Sequence, residues 1–271
     1  MMKINKKLFF SLLFVIILLT GCGKRADGKN TLVVGASNIP HAEILAHVKP
    51  MLAKEGIDLK VKVFQDYVMP NKATESEDLD ANYFQHKPFL DNWDKQNNGD
   101  LISVGNVHLE PIGVYSKRVK RLTDLKKGST VLVSNSISDY GRVLTIFKDA
   151  GLITLKKGTD VATANFNDIQ TNKLQLNFKH TYEPKLMSDL YANDEGAAVV
   201  INANYAVEAG LNPMKQAISL ESNTSSYANL VAVTPKNKNS PAIKKLVEAL
   251  QSKDTQKWIL TKYKGAVIPA K

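Results

Sequence analysis

The sequence predicts an α/β protein of two lobes with a cleft between them, and three observations carry that prediction. A strand, helix, strand order opens after residue 30. The same kind of order recurs after residue 130, and two strand-like segments stand where the chain can cross between the units. The 271 residues are 44% hydrophobic and 23% charged, a balance that suits about two globular domains and excludes disordered, collagen-like and disulfide-framework chains. One cysteine rules out an intramolecular disulfide, a Cys-based zinc finger, an iron–sulfur cluster and a CxxC redox pair.

Lys3, Lys6 and Lys7 precede an apolar run from Leu8 to Leu19, which is too short for a transmembrane helix of about 20 residues and suits the h-region of an export signal. Leu19-Thr20-Gly21-Cys22 has the form of a bacterial lipobox, in which the thiol receives a diacylglycerol and cleavage makes that cysteine the first residue. A free thiol beside an ordinary signal is the alternative, and the position of the chain's only cysteine argues against it. Residues 1–21 are thus expected to be a lipoprotein signal peptide and 22–30 a lipid anchor and flexible tether, polar and glycine-bearing. Acyl chains contribute about 0.8 kcal/mol per buried CH₂, so two or three would hold the protein on a bilayer, facing away from the cytoplasm.

Thr31 to Gly35 reads as a short buried strand, Ala42 to Glu55 as a helix ended by Gly56, and Leu59 to Phe64 as an alternating second strand. Thr130 to Val133 is the next strand, followed by a helix from Asp139 to Ala150 stopped at Gly151. Ala197 to Ile201 is another, followed by a helix from Tyr205 to Ala209. Leu109 to Ser116, interrupted by Pro111 and Gly113, and Tyr227 to Thr234 are the candidate crossings. They make the second lobe an insertion, with residues 31–112 and 230–271 in lobe 1 and 113–229 in lobe 2. A ligand then binds in the cleft, near the C-terminal ends of the strands.

Basic residues outnumber acidic ones by 36 to 26, but they are scattered rather than gathered with aromatics in one patch, so no nucleic-acid partner is expected. There is no GxGxxG, no Walker lysine, no HExxH and no GxSxG. The five histidines, at 41, 47, 86, 108 and 180, leave dispersed ligands as the one route to a metal site; no metal and no cofactor is expected. No catalytic set declares itself, and the protein is not expected to be an enzyme.

Polar and aromatic residues do gather just after predicted strands: Tyr67, Phe84, His86, Arg142, Asn202, Asn204 and Asn229. Arg142 can pair bidentately with a carboxylate, and the asparagines offer donors and acceptors to a zwitterion. Tyr67, Phe84 and His86 can wall an apolar slot. Each has a plainer reading: core packing for an aromatic, a helix N-cap for an asparagine, a surface position for the arginine. Their shared placement relative to strands favours the joint site.

Longer stretches carry a resemblance. VGASNIPHAEIL (34–45), FQDYVMPN (64–71), LDANYFQHKPFLD (79–91), HLEPIGVYSKRVK (108–120), NANYAVEAGLNP (202–213), SSYANLVAV (225–233) and YKGAVIPA (263–270) closely resemble the NlpA/MetQ family of substrate-binding lipoproteins. The likeness runs through nearly the whole chain after the signal. It implies a two-lobed periplasmic-binding-protein fold, type II-like, that delivers L-methionine, D-methionine or a relative to an ABC permease and its ATPase subunit. It places the thioether wall at Tyr67, Phe84 and His86, and the head-group clamp at Arg142, Asn202 and Asn229, with Asn204 beside Asn202. Sulfur against aromatic rings suits an unbranched methionine chain. Two stretches depart from the family pattern, SNSISDYGR (134–142) and TYEPKLMSDLYANDEGAA (181–198), and they keep a methionine-containing dipeptide such as Gly-Met as the alternative ligand. An enzyme on a related fold would betray itself by a product, and a surface interaction protein by a cleft that binds nothing.

Overall fold

Alternation of side chains along each strand decides how this chain buries its sheets. The structure, a computed structural model, describes residues 30–222 and 225–270; the signal, Cys22 and the tether before Asn30 lie outside them. In chain order the strands are β1 (Asn30–Ser37), β2 (Ile57–Phe64), β3 (Ala81–His86), β4 (Ile102–Leu109), β5 (Gly113–Tyr115), β6 (Thr130–Ser134), β7 (Ile153–Leu155), β8 (Ile169–Asn172), β9 (Asn177–Tyr182), β10 (Ala198–Ile201), β11 (Ser219–Leu220), β12 (Ala228–Val233) and β13 (Ile268–Pro269).

Six of them form the first sheet, in the order β13-β4-β12-β3-β1-β2. β1 runs parallel to β2 and β3, while β12 is antiparallel to β3 and β4. Leu32, Val34 and Ala36 of β1 are buried against the helix Glu43–Lys54, whose Ile44, Leu45, Val48 and Leu52 recur at helical spacing. Each such side chain contributes roughly 1.5–3 kcal/mol over its exposed state. Gly56, at φ +76°, takes the left-handed turn that ends this helix before β2. Ile243, Leu246 and Leu250 of the helix Pro241–Leu250, with Ile259 and Tyr263 of Lys253–Tyr263, complete the same core. The C-terminal tail thus returns to the first sheet.

Five strands form the second sheet, in the order β11-β5-β10-β6-β9, with β6 parallel to β9 and β10 and β5 antiparallel to β10 and β11. Val131, Val133, Ala198 and Val200 pack on one face with Val143, Leu144 and Phe147 of the helix Tyr140–Asp149. Leu132, Val199 and Ile201 pack on the other with Met187 and Tyr205. The two-residue period therefore buries both faces, which explains why these strands read as continuous apolar runs.

The segment from Leu109 to Ser116 is not one strand. β4 ends at Leu109 in the first sheet and β5 begins at Gly113 in the second. Between them stands Pro111, which has no N–H to give to a ladder. The return lies between the end of β11 at Leu220 and the start of β12 at Ala228. The register Ala228↔Leu109 and Asn229↔His108 places Ala228 and Asn229 in the first sheet, although the sequence division put them with lobe 2.

Candidate functional site

β3, β12 and β4 lie side by side, and their register aligns His86, Asn229 and His108 in one row. From the second sheet come Asp139 and Arg142, at the start of the helix Tyr140–Asp149, and Asn202, Ala203 and Asn204, where β10 passes into the helix Ala203–Glu208. Between them is a cavity lined by Tyr67, Phe84, Gln85, His86, Phe89, Glu110, Asp139, Arg142, Asn202, Ala203, Asn204 and Asn229. All seven residues singled out from the sequence line it. Phe89, Glu110, Asp139 and Ala203 were not singled out.

One wall is aromatic. Tyr67 sits 5.9 Å from Phe84 and 5.8 Å from Phe89, ring centre to centre, and 5.2 Å from Tyr205. Its hydroxyl donates to Asn204 Oδ1 at 2.6 Å, a bond that joins the first lobe to the second. His86 ends β3 and caps the following helix Lys87–Asn97, its Nδ1 accepting from the Phe89 N–H at 3.2 Å. The proton therefore sits on Nε2, 3.2 Å from Asp139 Oδ1 across the cleft.

The other wall is polar. Burial alone would push the Asp139 carboxyl up, but His86, Arg142 and Asn202 outweigh it and hold it well below the ordinary carboxylate range. Asn202 Nδ2 donates to Asp139 Oδ2 at 3.0 Å and makes no cap bond to its helix. Arg142 is buried, and its bidentate partner is the chain's own Glu221: Nε lies 2.9 Å from each carboxylate oxygen. Its other donors reach Asp139 Oδ1 at 3.0 Å and the Glu110 carbonyl at 2.8 Å. The fork expected to grip a ligand is thus largely engaged within the protein. Glu221 keeps Arg142 charged despite its burial.

Glu110 stands at the inner end of the cavity. His108 Nε2 donates to its Oε1 at 2.7 Å, and His41 Nε2 lies 3.3 Å from the same oxygen. Burial raises this carboxyl, with His41 and Arg142 opposing the rise. The two histidines and Glu110 bring three ligand-type atoms within 4.8 Å of one another. Two ligands of a tetrahedral zinc with bonds of about 2.1 Å stand about 3.4 Å apart. The 2.7 Å separation of His108 and Glu110 is instead that of a hydrogen bond.

What remains unused defines the chemistry. Asn204 Nδ2 is buried and has no hydrogen-bond partner among the described residues. Asn229 Oδ1 accepts from His41 Nε2 at 2.9 Å, which leaves its Nδ2 for the cavity. These two amides and the remaining N–H of Arg142 are donors, while Asn202 Oδ1 and the Glu110 carboxylate are acceptors. Periodicity could not reveal Glu110, Asp139 or Glu221. The available signal for Glu110 was its place one residue beyond a strand end, beside Pro111.

The family model for NlpA lipoprotein matches residues 32–271. The methionine-binding lipoprotein MetQ of Bacillus subtilis is 44% identical over 97% of this chain and 98% of its own length. Among solved structures, a pheromone cOB1 precursor and lipoprotein of the YaeC family from Enterococcus faecalis is 55% identical, with a TM-score of 0.86, over 88% of this chain and 99% of that one. A nutrient binding protein from Burkholderia cenocepacia, solved bound to methionine, is 40% identical with a TM-score of 0.83, over 89% of this chain and 100% of that one. These relatives are described as binding proteins and lipoproteins, not as enzymes. No helix among the described residues is long and apolar enough to cross a membrane.

Proposed function

The chain belongs to the NlpA lipoprotein family, and on that premise we propose that it captures free methionine in the cleft and hands it to an ABC importer. The observation that carries this reading is the sorting of unused groups in one cavity. Donors on Asn204, Asn229 and Arg142 suit an α-carboxylate, the acceptors of Glu110 and Asn202 suit an α-ammonium, and Tyr67, Phe84 and Phe89 suit a thioether chain.

Ligand capture proceeds by closure of two lobes, 31–112 with the C-terminal part and 113 to the return crossing, about the connections between β4 and β5 and between β11 and β12. The bonds Tyr67 to Asn204 and His86 to Asp139 belong to the shut form. A ligand that touches both lobes favours that form by its differential affinity for it. The shut protein then docks on a membrane permease, whose ATPase subunit drives import. Lipid on Cys22 holds the protein on the outer face of the cell membrane.

Protein purified from its producing cells, unfolded in acid and extracted, should release methionine in near-equal amount to protein by mass spectrometry. Release of Gly-Met instead would move the ligand to a dipeptide, and release of an unrelated solute would sink the reading.

A further inference from the structure

Behind the cavity wall lies a buried polar layer of Ser37, His41, Tyr83 and His108. Among the described residues, Glu110 and Asn229 join it to the cavity. Ser37 Oγ is 2.6 Å from His41 Nδ1, and His41 Nε2 is 2.9 Å from Asn229 Oδ1 and 3.3 Å from Glu110 Oε1. The Tyr83 hydroxyl bonds His108 Nδ1, and His108 Nε2 reaches the same Glu110 oxygen.

That oxygen settles the proton positions. An ionised Glu110 turns a lone pair toward both imidazole Nε2 atoms, which matches an N–H on each: His108 bonds it at 2.7 Å, and the His41 N–H, bonded to Asn229 Oδ1 at 2.9 Å, lies 3.3 Å from it. His41 therefore carries its hydrogen on Nε2, and the Ser37 hydroxyl donates to Nδ1. A ring so fixed accepts only one orientation of the Asn229 amide, with Oδ1 toward the imidazole. The reverse flip would set N–H against N–H between two buried side chains.

We propose that His41 is a positioning residue that locks the Asn229 amide, Oδ1 inward and Nδ2 into the cavity, and so makes the cavity selective for a free α-carboxylate. This rests on the reading of the cavity as an amino-acid site. His41 does not itself line the cavity. Burial keeps its ring neutral at physiological pH, down to about 4, with Glu110 opposing that fall, so the lock is a tautomer and not a charge.

Two measurements test it. Nitrogen NMR of ligand-free wild-type protein with labelled histidine should show His41 protonated at Nε2 with Nδ1 accepting. A ring protonated at Nδ1 would overturn the proposal whatever the cavity binds. Calorimetry then compares L-methionine with L-methioninamide, whose amide can pair with either flip of Asn229. His41→Phe keeps a ring without N–H, and it should shrink the preference for the free acid by about tenfold, the size of one mispaired buried amide. His41→Gln, which keeps a donor near the Nε2 position, should restore most of that preference, and Ser37→Ala should lose part of it. Equal weakening of both ligands, or an unchanged ratio, would reduce His41 to a packing residue. Wild-type protein that binds neither ligand would sink the amino-acid reading instead, with the NMR result still deciding the lock.

Discussion

His86 and Asp139 meet across the cleft, with Nε2 of one 3.2 Å from Oδ1 of the other. They come from different sheets, and the same Asp139 oxygen also accepts from Arg142. One carboxylate thus ties the aromatic wall to the polar wall. In the proposed function, closing the lobes and completing the head-group end of the site would be the same event.

Tyr67→Phe removes another bond of this kind, to Asn204, beside those of Asn38 to Glu208 and of Tyr205 to the Gln65 carbonyl. The loss of one interlobe hydrogen bond is expected to weaken methionine binding by about tenfold. The apo protein should shift toward the open form, read as a larger radius of gyration in small-angle scattering. Unchanged affinity and radius would remove this bond from the closure account.

Arg142→Ala leaves Glu221 and Asp139 buried without their cation. Breaking such a buried pair is expected to cost about 3–5 kcal/mol of folding stability, seen in urea denaturation. Arg142→Ala is accordingly a poor test of head-group contact. Asn229→Ala, which deletes a cavity donor, should lower methionine affinity by about tenfold or more with a smaller effect on stability.

Gly141 packs so closely under the loop at Val161 that an added Cβ would lie 1.8 Å from that carbonyl oxygen. Gly141→Ala is expected to destabilise by about 1–3 kcal/mol or more through overpacking, visible as a lower melting temperature. It should also disturb the start of the helix that carries Arg142. A melting temperature equal to wild type would show that the loop yields freely.

Acid should weaken the fold before it protonates ordinary carboxylates. Burial holds His41 down to about 4 and His108 to about 3, while in the unfolded chain both titrate near 6.5. Below that pH the unfolded state takes up protons that the folded state refuses, so stability falls as pH drops. Between pH 7 and 5 the loss is on the order of 2 kcal/mol per histidine. Glu110, raised by burial, has the opposite sign and offsets part of it. Asp139, held low, adds its loss only at more acid pH. Urea midpoints at pH 7 and 5 check the slope, and a flat profile would contradict it.

Much of this was legible in the chain. Val131, Val133, Ala198 and Val200 announce buried strands by type and spacing, and Gly56 announces a helix end. Tyr67, Phe84, His86, Arg142, Asn202, Asn204 and Asn229 were marked by their position after strands, and the fold brings all of them to one cavity. What stayed hidden depends on partners far apart in sequence. Arg142 finds Glu221 79 residues away, and His41 finds Asn229 188 residues away. No local pattern encodes such pairings, so the sequence does not reveal that the arginine expected to hold a ligand is also bound by a carboxylate of its own chain. Pro111 was visible, but its effect, a break that sends β4 and β5 to different sheets, appears only when both sheets are in place.

The most direct test of the central claim is calorimetric titration of the chain from residue 23, unfolded and refolded to remove carried-over solute, with L-methionine, D-methionine and Gly-Met. The account predicts one-to-one binding of free methionine that is lost in Asn229→Ala. Silence from both methionine enantiomers, in protein shown to be folded, would contradict it.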